Sequence, residues 1–157
     1  MSPTDDLSDA QMSHRLLSRS GVGALATMSV EAPGFPFASL TPFAVDESGD
    51  PILLLSALAE HTSNVKADPR ASLLVADALR EGADPLALER VTLVGLMTSA
   101  VREDVEELYA SAHPESKMYA GFKDFDFYRL EVQRARYVGG FGRMSWIERQ
   151  ELTVAGR

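Results

Sequence analysis

The chain has 157 residues, room for a domain with a substantial core, and no cysteine, which excludes thiolate nucleophiles, iron–sulfur clusters and cysteine-held zinc. Its formal net charge of −8 argues against a nucleic-acid partner, because binding along a phosphate backbone needs a basic face. One local cationic site for a small anionic ligand stays compatible with that charge.

The opening MSPTDDLSDAQ is acidic and polar with no apolar centre, unlike a secretory signal. No run approaches the ~18 apolar residues of a membrane span. A cytoplasmic protein with no membrane partner is the expectation. Ser8-Asp9-Ala10-Gln11 fits a capping box, and Met12, Leu16 and Leu17 follow at helical spacing, so a helix is predicted over about 8–19. Val22–Ser29 reads as a strand, Ala32-Pro33-Gly34 as a turn, and Pro36–Asp46 as a second strand whose Pro42 suggests an edge or bulge position. Asp46–Asp50 is a hairpin-type turn and Ile52–Ser56 a third strand. A short helix follows to about Ala67, then a strand at Ala71–Ala76, a loop, and a long strand at Glu89–Val101 with both faces largely apolar. Glu103–Ala112 is an amphipathic helix broken by His113-Pro114, and Phe127–Val132 and Arg136–Phe141 are the last strands. Strands and helices do not alternate as a Rossmann fold requires. The reading is one domain over 1–157: the helix at about 8–19, a barrel over about 22–147 and a short C-terminal tail. The fold class is mainly β with flanking helices (α+β).

The stretch with most chemistry is Ile52–Lys66, ILLLSALAEHTSNVK. A buried strand runs there into a polar helix start, where backbone N–H groups and hydroxyls can hold an anion. Ser56, Thr62, Asn64 and Lys66 offer the hydroxyl, amide and ammonium donors a phosphate needs. An ordinary polar helix face explains the same residues. His61 can be a phosphate donor, a proton donor or a haem ligand. His14 and His113 read as surface and helix-end residues, and the three histidines lack a metal-ligand spacing. Gly139, Gly140 and Gly142 either admit a flat cofactor to the backbone or form a bulge at a barrel corner.

Four segments are similar to the pyridoxamine 5′-phosphate oxidase-like FMN-binding split barrels: GALAT at 23–27, PFASLTPFAVD at 36–46, LLLSALAEHTSNVKADPRASLLV at 53–75 and FYRLEVQRARYVGGFGRMSWI at 127–147. The last, with Gly140-Phe141-Gly142-Arg143 and Trp146, resembles the haem-utilisation branch. The resemblance implies a homodimer of six-stranded split β-barrels with cofactor sites between the subunits. It places Thr62, Asn64 and Lys66 at the phosphate of FMN, with His61 beside them and Ser39 and Ser56 near the flavin ring. Arg143 and Trp146 would close the site, from the partner subunit if not from the same one. On this reading the function is flavin-dependent oxidation or reduction of a small organic substrate. The alternative is binding or degradation of haem with His61 as candidate iron ligand, and a second is a non-catalytic cofactor-binding module.

Overall fold

The computed structural model describes residues 7–140 and 142–155. Helix α1, Asp9–Arg19, starts on the predicted capping box: the Ser8 hydroxyl accepts from the Gln11 N–H and the Gln11 side chain accepts from the Ser8 N–H. Its buried stripe is Ala10, Ser13, Leu16 and Leu17. Strand β1 is Val22–Met28 and β2 is Pro36–Pro42. The expected second strand is thus cut at Phe43 and resumes as the short β3, Ala44–Val45. Pro42 can donate no ladder bond and ends β2, which lies at the edge of the sheet. The Asp46–Asp50 turn closes as predicted, with Gly49 at φ 82° and the Asp46 carboxylate accepting from the Ser48 and Asp50 N–H groups.

Strand β4, Pro51–Ser56, leads into α2, Glu60–Ala67, and on to β5, Arg70–Ala76. Strand β6 is Glu89–Ser99 and α3 is Arg102–Ala112. Burial along β6 alternates, with Val91, Leu93 and Met97 inside, so its outer face is only half-covered rather than packed. The two expected last strands are one: β7 runs unbroken over Phe125–Gly139. Phe141, placed in the expected strand, lies outside the described residues. The expected C-terminal tail carries two further elements, β8 at Met144–Glu148 and α4 at Arg149–Ala155.

The strands form one curled antiparallel sheet in the order β2-β1-β5-β6-β7-β4-β3, with β8 also paired to β7. Strand β7 is long enough to pair β4 with its first part and β8 with its last. A bulge opposite Val94 and Gly95 lets it bend: Val94 pairs Arg134 while Gly95 pairs Val132, leaving Gln133 over. Burial changes parity there. Leu130 and Val132 point inward before the bulge, Ala135 and Tyr137 after it. The Val132 N–H beside the bulge donates to buried Asp50, whose carboxylate also holds Arg149 of α4 in two hydrogen bonds.

Candidate functional site

Two registers across the sheet organise the site. One cross-strand row reads Ser39, Leu25, Leu73, Leu93, Ala135, Ile147. From Leu25 to Ile147 these are buried, so the row lines the barrel interior. The next row reads Leu40, Ala24, Leu74, Thr92, Arg136, Trp146 and points the other way. Leu40 is 77% exposed, Leu74 41% and Trp146 48%. A broad, mainly apolar outer face is thus left open on this chain.

Ser39 sits at the edge of the inner row, and α2 lies over that edge. The first turn of α2 brings His61 to it: the Ser39 hydroxyl and His61 Nδ1 are 3.0 Å apart. The imidazole is half-buried, and desolvation pushes its pKa below the usual histidine value. It is therefore neutral at pH 7, and with Nδ1 occupied by Ser39 its Nε2 has no hydrogen-bond partner among the described residues. Such a nitrogen can accept a proton, donate one or bind a metal, depending on the tautomer.

The other residues of this segment are committed within the chain. Thr62 is buried and its hydroxyl donates to the Ser56 carbonyl at 2.6 Å, fastening the helix to the end of β4. Asn64 has no exposed surface; its amide donates to Thr27 Oγ1 and its oxygen accepts from the Val30 N–H, both at 2.9 Å. Ser56 donates to the Asp124 carboxylate and accepts from the Leu58 N–H, which shapes the strand-to-helix loop. Lys66 projects into solvent. Of the expected anion-facing groups, the structure presents Lys66 and His61 outward and turns Thr62 and Asn64 inward.

Arg143 and Trp146 lie elsewhere on the same chain. Arg143 Nε donates to Asp9 Oδ1 at 2.7 Å and its terminal nitrogen to the Leu7 carbonyl, so it anchors the start of α1. Asp9 also accepts from the Ser145 hydroxyl at 2.6 Å. Gly140 and Gly142 take φ values of 100° and 81°, and the Gly139 N–H donates to the Arg143 carbonyl, so these glycines serve the turn into β8. Trp146 borders a groove of about 730 Å³ whose lining includes Ser8, Gln11, Ile147 and Gln150 but neither Ser39 nor His61. Its ring also has the guanidinium carbons of Arg134 and Arg136 at 4.8 and 5.8 Å. Those two arginines did not stand out in the sequence. Their spacing of two in a strand, which puts both on one face, is the signal that finds them.

The family described as CREG, beta-barrel, matches residues 4–153. The chain is 37% identical over 137 residues to the Arabidopsis thaliana non-canonical heme oxygenase HOZ, chloroplastic, covering 85% of this chain and 41% of that protein. It is 24% identical to Vibrio cholerae heme oxygenase HutZ, over 82% of this chain and 76% of that one. A heme binding protein from Mycobacterium smegmatis superposes with a TM-score of 0.86 at 34% identity, over 94% of this chain and 61% of its own. The chain thus spans about two-fifths of the Arabidopsis protein and three-fifths of the mycobacterial one. No described helix is long and apolar enough to cross a membrane. Together with the curled antiparallel sheet, the match over nearly the whole sequence means that the chain belongs to the CREG β-barrel family, a pyridoxamine 5′-phosphate oxidase-like split barrel on the side of its haem-utilisation branch.

Proposed function

We propose that this protein binds haem and that haem is the molecule it acts on. The observation that carries the reading is the half-buried, neutral His61 with Nδ1 tied to Ser39 and Nε2 left to take a metal. The relatives named for haem point the same way. A flavin site receives less support from this geometry. FMN would need donors for its phosphate, and Thr62 and Asn64 spend theirs inside the chain.

The site is proposed to be completed by a second copy. The outer row from Leu40 to Trp146 is too apolar to lie open without cost, and covering it with another copy of itself removes both that face and the β2 edge from water. In such a homodimer the His61 edge of one protomer would meet the Arg143–Trp146 segment of its partner. These two segments would hold the haem, with His61 as the candidate iron ligand. Haem supplies the redox chemistry; the protein holds it, keeps an imidazole unprotonated at the metal and shields it from water.

Titrating haem into the purified protein and following the Soret band tests this. A saturable band is expected in the wild type, with light scattering giving twice the chain mass. His61→Ala should shift the band and weaken binding. Saturable binding of FMN with no Soret response to haem would overturn the reading. Decay of the band on adding a reductant in air separates haem breakdown from simple carriage.

A further inference from the structure

We propose that Arg136 and Arg134, stacked on Trp146, form a seat for the carboxylates of the tetrapyrrole; the inference rests on the haem-binding reading. The first observation is placement. Arg136 and Trp146 are direct cross-strand partners, and the row they end runs through Thr92, Leu74 and Ala24 to Leu40. The row beside it runs from Ala38 through Ala26, Ser72 and Val94 to Arg134 and Glu148. Along these two rows the open face is apolar or small over four strands and becomes basic and aromatic at one margin, while Arg70 and Arg90 lie on the same face in rows further out. A haem has the same layout, a flat apolar macrocycle with two carboxylates along one edge.

The second observation is how the margin is built. Trp146 is the chain's one tryptophan, and it is left 48% exposed. Guanidinium carbons sit 4.8 and 5.8 Å from its ring centroid. Stacking of this kind holds a guanidinium plane in place while its N–H fork stays available, so less freedom is lost when a carboxylate docks. In a chain of net charge −8, two arginines on one aromatic ring are a local exception. Arg136 has no carboxylate within salt-bridge distance among the described residues, whereas Arg134 is held by Glu148 at 2.9 Å. Arg136 is thus the primary contact. Arg134 joins by exchanging Glu148, a surface pair with little to lose, for the ligand. A planar fork meeting a carboxylate supplies two parallel charge-assisted bonds.

The test compares haem with haem dimethyl ester, in which both carboxylates are capped, by titration against wild type, Arg136→Gln and Arg134→Gln/Arg136→Gln. Arg134 is exposed and Arg136 is partly exposed with no ion pair among the described residues, so the variants are expected to keep close to the wild-type melting temperature. The wild type should prefer haem to its ester by about tenfold or more per charge-assisted contact. Arg136→Gln should lose most of that preference and the double variant nearly all of it, with ester affinity unchanged in each. A double variant that folds and still prefers haem to the same degree overturns the seat and leaves haem binding standing. A wild type that binds neither ligand overturns both.

Discussion

Arg143 and Asp9 stand 134 residues apart in the chain and meet in a 2.7 Å ion pair that fastens the first turn of α1 to the segment entering β8. The other end of α1 is tied too: Arg19 pairs with Glu89 at 2.7 Å and Asp77 at 3.1 Å, and Glu89 accepts from the buried Tyr137 hydroxyl. Burial acts to raise the Asp9 carboxyl. The bonds from Ser145 and Arg143 and the guanidinium charge outweigh it and hold the group below its ordinary 3.8. Stability from this pair is present above that value and is lost as the pH falls through the lower folded-state value. Asp9→Asn is expected to cost about 1 kcal/mol at neutral pH, discounted because Arg143 is partly exposed. Urea melts should show the gap to wild type narrowing below pH 3.8.

The His61 shift has its own pH signature. Burial lowers the imidazole from 6.5, so as the pH drops below that value the unfolded chain takes up a proton before the folded one does. Stability should fall from pH 6.5 downward to the folded-state value, and His61→Gln should flatten that part of the profile. An NMR titration should place the His61 ring protons below the free-histidine midpoint. A midpoint at or above it would contradict the buried, neutral ring.

Asn64 should behave as a core residue rather than a ligand. Asn64→Leu leaves the Val30 N–H without its acceptor and removes a donor from Thr27, for a loss of about 2–3 kcal/mol. Denaturant unfolding measures it. A destabilisation under about 0.5 kcal/mol is what a solvated helix residue would give and would count against this burial.

The open sheet face predicts a clean effect on assembly. Leu40→Glu puts a charge on a side chain 77% exposed in the isolated chain, so the fold should survive. The mass by light scattering should halve, and haem affinity should fall with it if the partner completes the site.

At Gly95 there is no room for even a methyl group. An added Cβ would stand 2.2 Å from the Glu131 carbonyl oxygen, across the bulge. Gly95→Ala is expected to cost about 3 kcal/mol or more, since backbone rather than a side chain must yield. Thermal melts are the check.

Much of this could be read from the residues. The capping box placed α1, the DESGD turn placed the hairpin, and the apolar run Ile52–Leu55 placed β4, because each signal is local. What failed was decided at a distance. Phe127–Val132 and Arg136–Phe141 looked like two strands because the inside-outside alternation breaks at Gln133, and only pairing with β6 shows one strand with a bulge. In α2, Thr62 and Asn64 looked as available as Lys66. Nothing in EHTSNVK tells that the β1–β2 turn needs an amide at Val30, so their burial was invisible, while Ser39 and His61 were named as site residues without the bond that joins them.

The surplus residue Gln133 also governs how the chain tolerates changes of length. Deleting it would leave Val132 inside and Arg134 outside as direct neighbours, so the bulge would vanish and the strand would run on in plain alternation. Arg134 and Arg136 would keep the outer face and Ala135 and Tyr137 the inner one, and what would be lost is the local bend. Deleting a paired residue is different: without Ala135, and with Arg136 still opposite Thr92, Arg134 would fall opposite Leu93 on the inner face. Substitutions can explore the margin around Trp146 one side chain at a time, but the numbering of that stretch is not free to drift.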